Sequence, residues 1–554
     1  MWFKNYEPTV PHSIDYPKVS VYDKFKEIAG QYSENKAVSF FGGEFTYREL
    51  LTMVDAFAVA LQGLGVKKGD RVAIHLPNST QFPIACYGAM AIGAIVVPCN
   101  AMYVARELAF QLKDSGAGTI ITMTRFYNMV KGIQSQTELK NIIVTNIKDY
   151  FPPGLRLLYT IAKEKKEGDR VRIAPEDYSF TKLVKANMGK KPTPVKVESD
   201  DRALYMYTGG STGVAKGAIL RHISAIANVM QITEWCPDYK HGGEILLAAL
   251  PFFHSYGMSL AMNLSLLTGG KVVMLPRFVV EDVLKAIDKE KPSLLHGVPT
   301  MYVALNNAPN LHKYDISSIR ICMSGAAPLP IEVRRQFEKN TGGKLVEGYG
   351  LSETSPLTHC NPIYGKSIEG SIGLPVSDTE AKIMDSETGE KEMPLGEIGE
   401  LCVKGPQVME AYHNMPEETA RSLRDGWLYT GDIARMDEEG YTYIVDRKKD
   451  MVIAGGYNIY PRDIEEVLFT HPKIVEAAVA GYKDPYRGET LKAYIVIKEG
   501  EELTEEEVIK FCKANLAAYK VPRVVEFRPE LPKSMVGKVL RRILREEEEK
   551  KAAK

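Results

Sequence analysis

The sequence predicts an α/β protein. It has a large N-terminal domain of two helix-covered, mainly parallel sheets with a β-rich part, and a small α+β C-terminal domain. Three observations carry this reading. Helical segments alternate with short Val/Ile/Leu strands through the N-terminal half, the texture of parallel sheets covered on both faces. Residues 79–105 and 245–270 contain no Lys, Arg, Asp or Glu, yet Pro or Gly and polar residues break both, so they read as buried helix–strand units rather than membrane spans. At 554 residues the chain exceeds what one hydrophobic core usually serves, and its texture changes twice, after Gly365 and after the charged run Asp446–Asp450.

The elements follow in order. Thr46 and Glu49 have capping-box spacing, and Leu50, Leu51, Val54, Phe57, Ala58 and Leu61 recur at helical period. Lys67–Asp70 turns into a strand over 71–76. Helices near 81–90 and 106–115 lead to strands at 94–98 and 118–122, and a helix at 281–289 leads to Leu294-Leu295. The segment 149–197 is more polar. There Leu155, Leu157, Leu158, Tyr159 and Ile161 precede the basic run Lys163–Lys166, an amphipathic helix that either touches a membrane or, the more ordinary outcome, lies on the protein's own core. Strand pairs at 381–384, 399–404, 433–436 and 442–445 make residues 366–446 β-rich. The domain boundary is placed at 446–450, giving domains 1–446 and 447–554; the latter has helices at 461–470 and 504–515 and strands at 475–480, 493–498 and 524–528.

Lys+Arg and Asp+Glu both number 70, so no global charge draws the chain to nucleic acid or anionic lipid. Seven scattered cysteines form no C-x-x-C, which suggests neither a zinc site nor a disulfide framework and fits a reducing cytoplasm. The N-terminus lacks a signal-peptide pattern.

The stretch Tyr207–Gly217 is the most informative. Its glycines let backbone N–H groups converge on one anion, Thr208, Ser211 and Thr212 add hydroxyl donors, and Lys216 adds a mobile positive charge. The Walker A pattern fails, because Ala215 precedes the lysine and Gly217 follows it. Gly209–Gly213 does match G-x-S-x-G, but a nucleophile elbow turns into a helix, whereas this loop lies between two apolar strand-like runs. A slack glycine loop stays open on this segment alone. Further on, Ser324–Leu329 offers small residues with room for a flat ring. Glu347–Thr354 offers an aromatic face, a hydroxyl and a carboxylate. Tyr429–Asp432 reads as a turn whose carboxylate could grip two vicinal hydroxyls, Arg447 lies in the domain break, and Pro532–Lys538 ends in a lysine in a glycine turn.

In this combination and order the motifs resemble the adenylate-forming superfamily of acyl-CoA synthetases, firefly luciferase and peptide-synthetase adenylation domains. The resemblance runs from Thr46 to Arg542. Leu76–Pro83, Leu250–Gly257, Gly348–Pro362 and Tyr519–Pro522 are most similar to microbial medium- and long-chain fatty acyl-CoA synthetases. The resemblance implies an ATP-dependent fatty acid:CoA ligase. Acid and ATP would give acyl-AMP and pyrophosphate, and coenzyme A would then displace AMP.

It also implies roles. Thr208, Ser211, Thr212, Gly213 and Lys216 would cradle the β/γ-phosphates. Tyr349 would stack on adenine opposite Gly325 and Ala326, beside Glu347 and Gly348, and Ser352 would touch the α-phosphate. Glu353 would hold Mg²⁺. Asp432 and Arg447 would take the ribose hydroxyls, and Lys538 would stabilise charge at the reacting carboxylate. The C-terminal domain would be mobile, hinged at Lys449, and would bring Gly455, Gly456 and Tyr457 to the coenzyme A tunnel. His254 would border the acyl and pantetheine tunnels, unless it is a satisfied core histidine.

Aryl-acid:CoA ligases of the 4-coumarate type share every one of these motifs and are the alternative. A peptide-synthetase module would need a carrier domain, for which the few residues after Lys538 leave no room unless the carrier is separate, and retention of the lysine, metal carboxylate and ribose contacts disfavours a non-enzymatic nucleotide-binding protein. The expected partners are fatty acid, ATP and coenzyme A, with no nucleic acid, a weak peripheral membrane contact as a further option, and a cytoplasmic location. The sequence leaves acyl chain length and the choice between monomer and homodimer open.

Overall fold

The computed structural model describes residues 1–552 apart from 209–214, 449, 455–456, 485–487, 535–536 and 538, with the backbone alone for 453–454, 457–458, 483–484, 488 and 552. Among the described residues the strands form four sheets. A nine-stranded sheet runs in the spatial order Leu374–Pro375, Leu357–Cys360, Lys344–Gly350, Ile321–Ser324, Leu294–Gly297, Ile245–Ala248, Lys271–Met274, Lys36–Phe40, Gly43–Thr46. Its six interior strands pair in parallel, and antiparallel strands close both edges. An eight-stranded sheet has a parallel centre built on Arg71–His75, Ile95–Pro98, Thr119–Met123 and Asn141–Thr145.

Two helices that pack on each other cover one strand pair of each sheet. Tyr47–Gly63 starts at the expected capping box, in which Glu49 N donates to Thr46 Oγ1 at 3.2 Å and Thr46 N donates to Glu49 Oε2 at 2.7 Å. Gln81–Ala91, from the first charge-free stretch, is buried along its whole length, as an all-round apolar helix must be. The second charge-free stretch contains one buried helical run from Ser255 to Leu266, with a π-helical segment over Met258–Asn263. Strand alternation assigns the faces. Val72 and Ile74 point into the core shared by both sheets, whereas Ala73 joins Ile120 and Ile142 beneath the helix Ala105–Ser115.

A five-stranded antiparallel sheet follows, formed by Glu380–Met384, Gly399–Lys404, Leu423–Arg424, Trp427–Met436 and Thr442–Arg447. The last sheet holds Val452–Ala454, Tyr457–Ile459, Ile474–Asp484, Gly488–Ile497 and Val524–Phe527, with the helices Pro461–Phe469, Glu505–Asn515 and Arg541–Ala552. It carries its own two small cores, one around Val452, Ile464 and Val479 and one around Tyr494 and Leu544. The strand that ends at Arg447 therefore belongs to the third sheet, and the fourth begins at Val452. The Arg541 guanidinium spans the crossing. It reaches Asp446 and Asp450, each at 3.2 Å, and Glu465 at 2.5 Å.

Candidate active site

The strands on either side of residues 209–214 pair with each other. Arg202–Thr208 and Lys216–Arg221 are antiparallel partners, and Thr208 faces Lys216 at the open end. A strand–loop–strand connection is neither a Walker A loop nor a nucleophile elbow, both of which lead into a helix. Of the residues assigned to this loop, Ser211, Thr212 and Gly213 lie outside the described residues. Lys216 is not the free, mobile charge its sequence context suggests. It is buried, ion-paired with Glu418, and its Nζ lies 5.4 Å from the centre of the Tyr412 ring.

Tyr412 links this lysine to Glu353. Its hydroxyl donates to Glu353 Oε1 at 2.8 Å, and Met409 N donates to the Glu353 carbonyl at 2.7 Å. The short strand Ala411–Tyr412 pairs with the second strand of the phosphate hairpin, which sets that ring between the two charges. Burial and the nearby Glu353 carboxylate push the Tyr412 hydroxyl pKa far above its ordinary value, so it stays a donor. Among the described residues no donor bonds Glu353 Oε2. Among the described residues no group of three or more His, Cys, Asp or Glu side chains could hold a metal. One carboxylate with a free oxygen suits an ion that arrives with phosphate and water ligands.

Tyr349, Asp432 and Arg447 meet as one cluster. Tyr349 Oη donates to Asp432 Oδ2 at 2.6 Å, and Arg447 Nε lies 3.3 Å from Asp432 Oδ1. Asp432 is almost fully buried, and its charge raises the Arg447 pKa. The expected turn at Tyr429–Asp432 is instead the interior of the strand Trp427–Met436, with Gly431 at φ 73° forming a local irregularity. Arg447, expected in a domain break, is the last residue of the neighbouring strand and the register partner of Asp432. An ionised carboxylate has about four acceptor sites, so these two partners leave Asp432 capacity for a diol.

The Gly325 turn follows the strand beside Glu347–Gly348. Ser324 pairs with Glu347 on adjacent parallel strands, and Gly325 and Ala326 follow, the latter in the left-handed region at φ 68°. A Cβ on Gly325 would come within 3.2 Å of the Tyr256 ring and 3.4 Å of the Gly348 carbonyl oxygen, so the turn lies close against both. Glu347 is raised to about 7, chiefly by burial, with Arg462 opposing. Gly350 leaves no room at all, since a Cβ there would lie 1.9 Å from the Pro356 carbonyl oxygen.

Ser352 Oγ and Ser255 Oγ are 3.1 Å apart, which brings the segment containing His254 to the same place. His254 Nδ1 accepts from Tyr256 N at 3.2 Å, and burial lowers its pKa to about 4, so the ring is neutral and one nitrogen is committed to capping the next helical turn. Asn78 clamps the segment: its Nδ2 donates to Leu250 O at 2.8 Å and its Oδ1 accepts from Phe252 N at 2.7 Å.

The C-terminal loop reaches this body at Thr300. Gly537 has φ 70°, and a Cβ on it would lie 2.5 Å from Thr300 Oγ1. Lys538, Lys449, Gly455 and Gly456 lie outside the described residues, and of Tyr457 only the backbone is described, in the strand Tyr457–Ile459. Sequence reasoning missed Tyr412, Glu418 and Thr300. Pro416 at the start of the helix Pro416–Ser422 is a readable signal for that helix, but nothing local says that its Glu418 faces Lys216.

Comparison with known proteins bears on this geometry. The family model described as AMP-binding enzyme matches residues 25–413, and that described as AMP-binding enzyme C-terminal domain matches residues 463–538. The chain is similar to a long-chain-fatty-acid--CoA ligase of Bacillus subtilis, with 45% identity over 548 residues, 99% of this chain and 98% of the relative. It is also similar to 4-coumarate--CoA ligase 2 of Solanum tuberosum, with 33% identity over 90% of this chain and 88% of the relative. Among solved structures, ATP-bound MatB from Rhodopseudomonas palustris superposes with a TM-score of 0.84 at 29% identity, over 96% of this chain and 99% of MatB. The apo form of MatB gives a TM-score of 0.74 over the same shares of both chains.

Proposed function

This chain belongs to the family of AMP-binding enzymes, and from that premise we propose that it is an AMP-forming long-chain fatty acid:CoA ligase. The single observation that carries the acyl class is the 45% identity, spanning 99% of the chain, to a long-chain-fatty-acid--CoA ligase. The aryl-acid relative is more distant, at 33% identity. ATP and coenzyme A are the co-substrates.

A carboxylate is a poor electrophile, because attack would have to expel an oxide. Transfer of AMP to one carboxylate oxygen, with loss of pyrophosphate, gives a mixed anhydride. The coenzyme A thiolate then attacks its carbonyl and releases AMP. In this reading Tyr349 and the Gly325–Ala326 turn hold the adenine, and Asp432 with Arg447 holds the ribose. The short distance between Ser255 and Ser352 supports a pair of hydroxyl donors at the α-phosphate. Lys216 neutralises the leaving pyrophosphate, which requires it to exchange Glu418 for phosphate. Glu353 would hold Mg²⁺ with Tyr412 orienting the carboxylate, and the ion would supply charge neutralisation on the phosphates.

Lys538 is the residue proposed to stabilise charge at the reacting carboxylate, and its neighbour Gly537 packs against Thr300 of the large domain. That contact supports an arrangement suited to the first half-reaction, as does the better match to ATP-bound than to apo MatB. Rotation about residues 446–450 would then admit coenzyme A.

The test is coenzyme A-dependent AMP release across acids from acetate to stearate, with benzoate and 4-coumarate alongside. Myristate to stearate should be turned over at least about tenfold better than any aryl acid, a discrimination that several buried methylenes supply. Preference for acetate or an aryl acid would overturn the acyl assignment while leaving the ligase chemistry intact.

A further inference from the structure

The helix Pro153–Ala162 is packed inside out. None of its residues is buried, and Leu157, Leu158 and Ile161 are 62%, 64% and 77% exposed. Its attachment to the protein runs through the opposite, polar face. Tyr159 Oη donates to the buried Asp169 at 2.5 Å, its ring meets Phe151 edge-on at 5.8 Å, and Lys148 Nζ donates to Thr160 Oγ1 at 2.8 Å. An ordinary surface helix would turn its leucines inward, since burying apolar surface is favourable.

The apolar face continues onto a second element. Phe41, 42% exposed, stacks edge-on against Phe151 at 5.3 Å, and the next residue, Gly42, adjoins Pro152 at the start of the helix. Phe41 sits in the left-handed region at φ 48°, an uncommon conformation for a bulky residue, and there it presents its ring to solvent.

The surrounding charge identifies the covering phase. The chain as a whole is neutral, but the exposed residues Arg156, Lys163, Lys165, Lys166, Arg170 and Arg172 gather along this one stretch. The nearby acids are spoken for: Glu164 pairs with Lys148 at 2.6 Å, Asp169 pairs with Arg125 at 2.5 Å, and Glu167 lies 3.8 Å from the same arginine. An apolar ridge flanked by cations matches the acyl and headgroup zones of an anionic bilayer. We propose that Phe41, Leu157, Leu158 and Ile161, with their basic flank, are a docking surface for anionic lipid membranes. The proposal does not depend on the acyl class above.

The experiment is co-sedimentation of the full chain with vesicles of phosphatidylcholine alone and of phosphatidylcholine with phosphatidylglycerol. Wild type should bind the anionic vesicles at least about tenfold more tightly and lose that preference at high salt. The triple variant Leu157→Ser, Leu158→Ser, Ile161→Ser should lose binding by about tenfold or more, because its targets are exposed and hold no core contact. Lys163→Glu with Lys165→Glu and Lys166→Glu should abolish the preference for anionic lipid. Equal sedimentation of wild type and the serine variant would overturn the proposal. So would absence of vesicle binding together with a wild-type dimer that the serine variant dissociates, because a second copy would then be the occupant. Turnover of a water-soluble short acid, unchanged in both variants, verifies that the fold is intact.

Discussion

Asp432 and Arg447 are register partners on neighbouring antiparallel strands, with Arg447 Nε 3.3 Å from Asp432 Oδ1. Tyr349, 83 positions before Asp432, donates its hydroxyl to the other carboxylate oxygen. A cross-strand pair holds the carboxylate by backbone geometry rather than by side-chain packing alone. In the proposed ribose site this geometry would leave little to reorganise on binding.

Asp432→Ala should raise the KM for ATP by about tenfold or more, the worth of hydrogen bonds to a charged group. It should also lower stability by about 1–3 kcal/mol, because the Tyr349 hydroxyl loses its acceptor in a buried place. ATP titration and thermal melting measure the two effects separately. An unchanged KM would remove Asp432 from the ribose site.

Tyr412→Phe keeps the ring beside Lys216 but deletes the donor to Glu353. Loss of an orienting partner of this kind typically costs about 10–100-fold in metal affinity or activity. Pyrophosphate release should therefore need roughly tenfold more Mg²⁺ for half-maximal rate, with the rate at saturating metal largely restored. A loss that no Mg²⁺ concentration rescues would make the tyrosine structural rather than positioning.

Lys538→Ala is expected to slow acyl-adenylate formation by about a hundredfold or more, as removal of one transition-state charge contact does. ATP binding should persist, and so should thioester formation from acyl-AMP supplied ready-made. Undiminished pyrophosphate release would refute the role.

Gly350→Ala forces a Cβ to within 1.9 Å of the Pro356 carbonyl oxygen, and a backbone atom cannot swing away. The variant should lose more than about 3 kcal/mol or fail to fold. Gly30→Ala is the control. It lies in the helix Val21–Gln31 with nothing within 4 Å of a Cβ, and should gain roughly 0.5–1 kcal/mol. Equal melting temperatures for the two variants would count against this packing.

Acid should destabilise the fold below neutrality. Burial lowers the pKa of His75, His222, His254 and His296 to about 4 and of His359 to about 3. Between these values and about 6.5 the unfolded chain binds more protons than the folded one, so stability rises with pH in that window, by roughly 1.4 kcal/mol per pH unit per histidine. Glu347, raised to about 7, works the other way between its ordinary value and neutrality, and buried Glu465 and Asp446 share its sign. Over most of the window the five histidines outweigh the three acids. The melting temperature should be level above about pH 7 and fall steadily toward pH 5. A constant melting temperature from pH 7 to 5 would contradict the buried, neutral state of these rings.

Much of this protein is legible in short stretches. The Thr46 capping box, the alternating helices and strands, and the two buried charge-free stretches all appear where local period and capping chemistry place them. Such signals act over a few residues, so a few residues carry them. The site motifs are legible for the same reason. Glycines, a tyrosine, two carboxylates and an arginine stand in a recognisable order.

Their meeting is another matter. The expected strands 433–436 and 442–445 stop short of Asp432 and Arg447, and nothing near Lys216 says that Glu418 neutralises it or that Tyr412 bridges it to Glu353. Register between strands that close across scores of residues, and the side chains a short edge strand brings over a loop, depend on the free energy of the whole packed sheet. The outward face of Pro153–Ala162 belongs to the same class. Its amphipathic period is written in the chain, but which face meets the protein was settled by the polar anchors at Asp169 and Lys148.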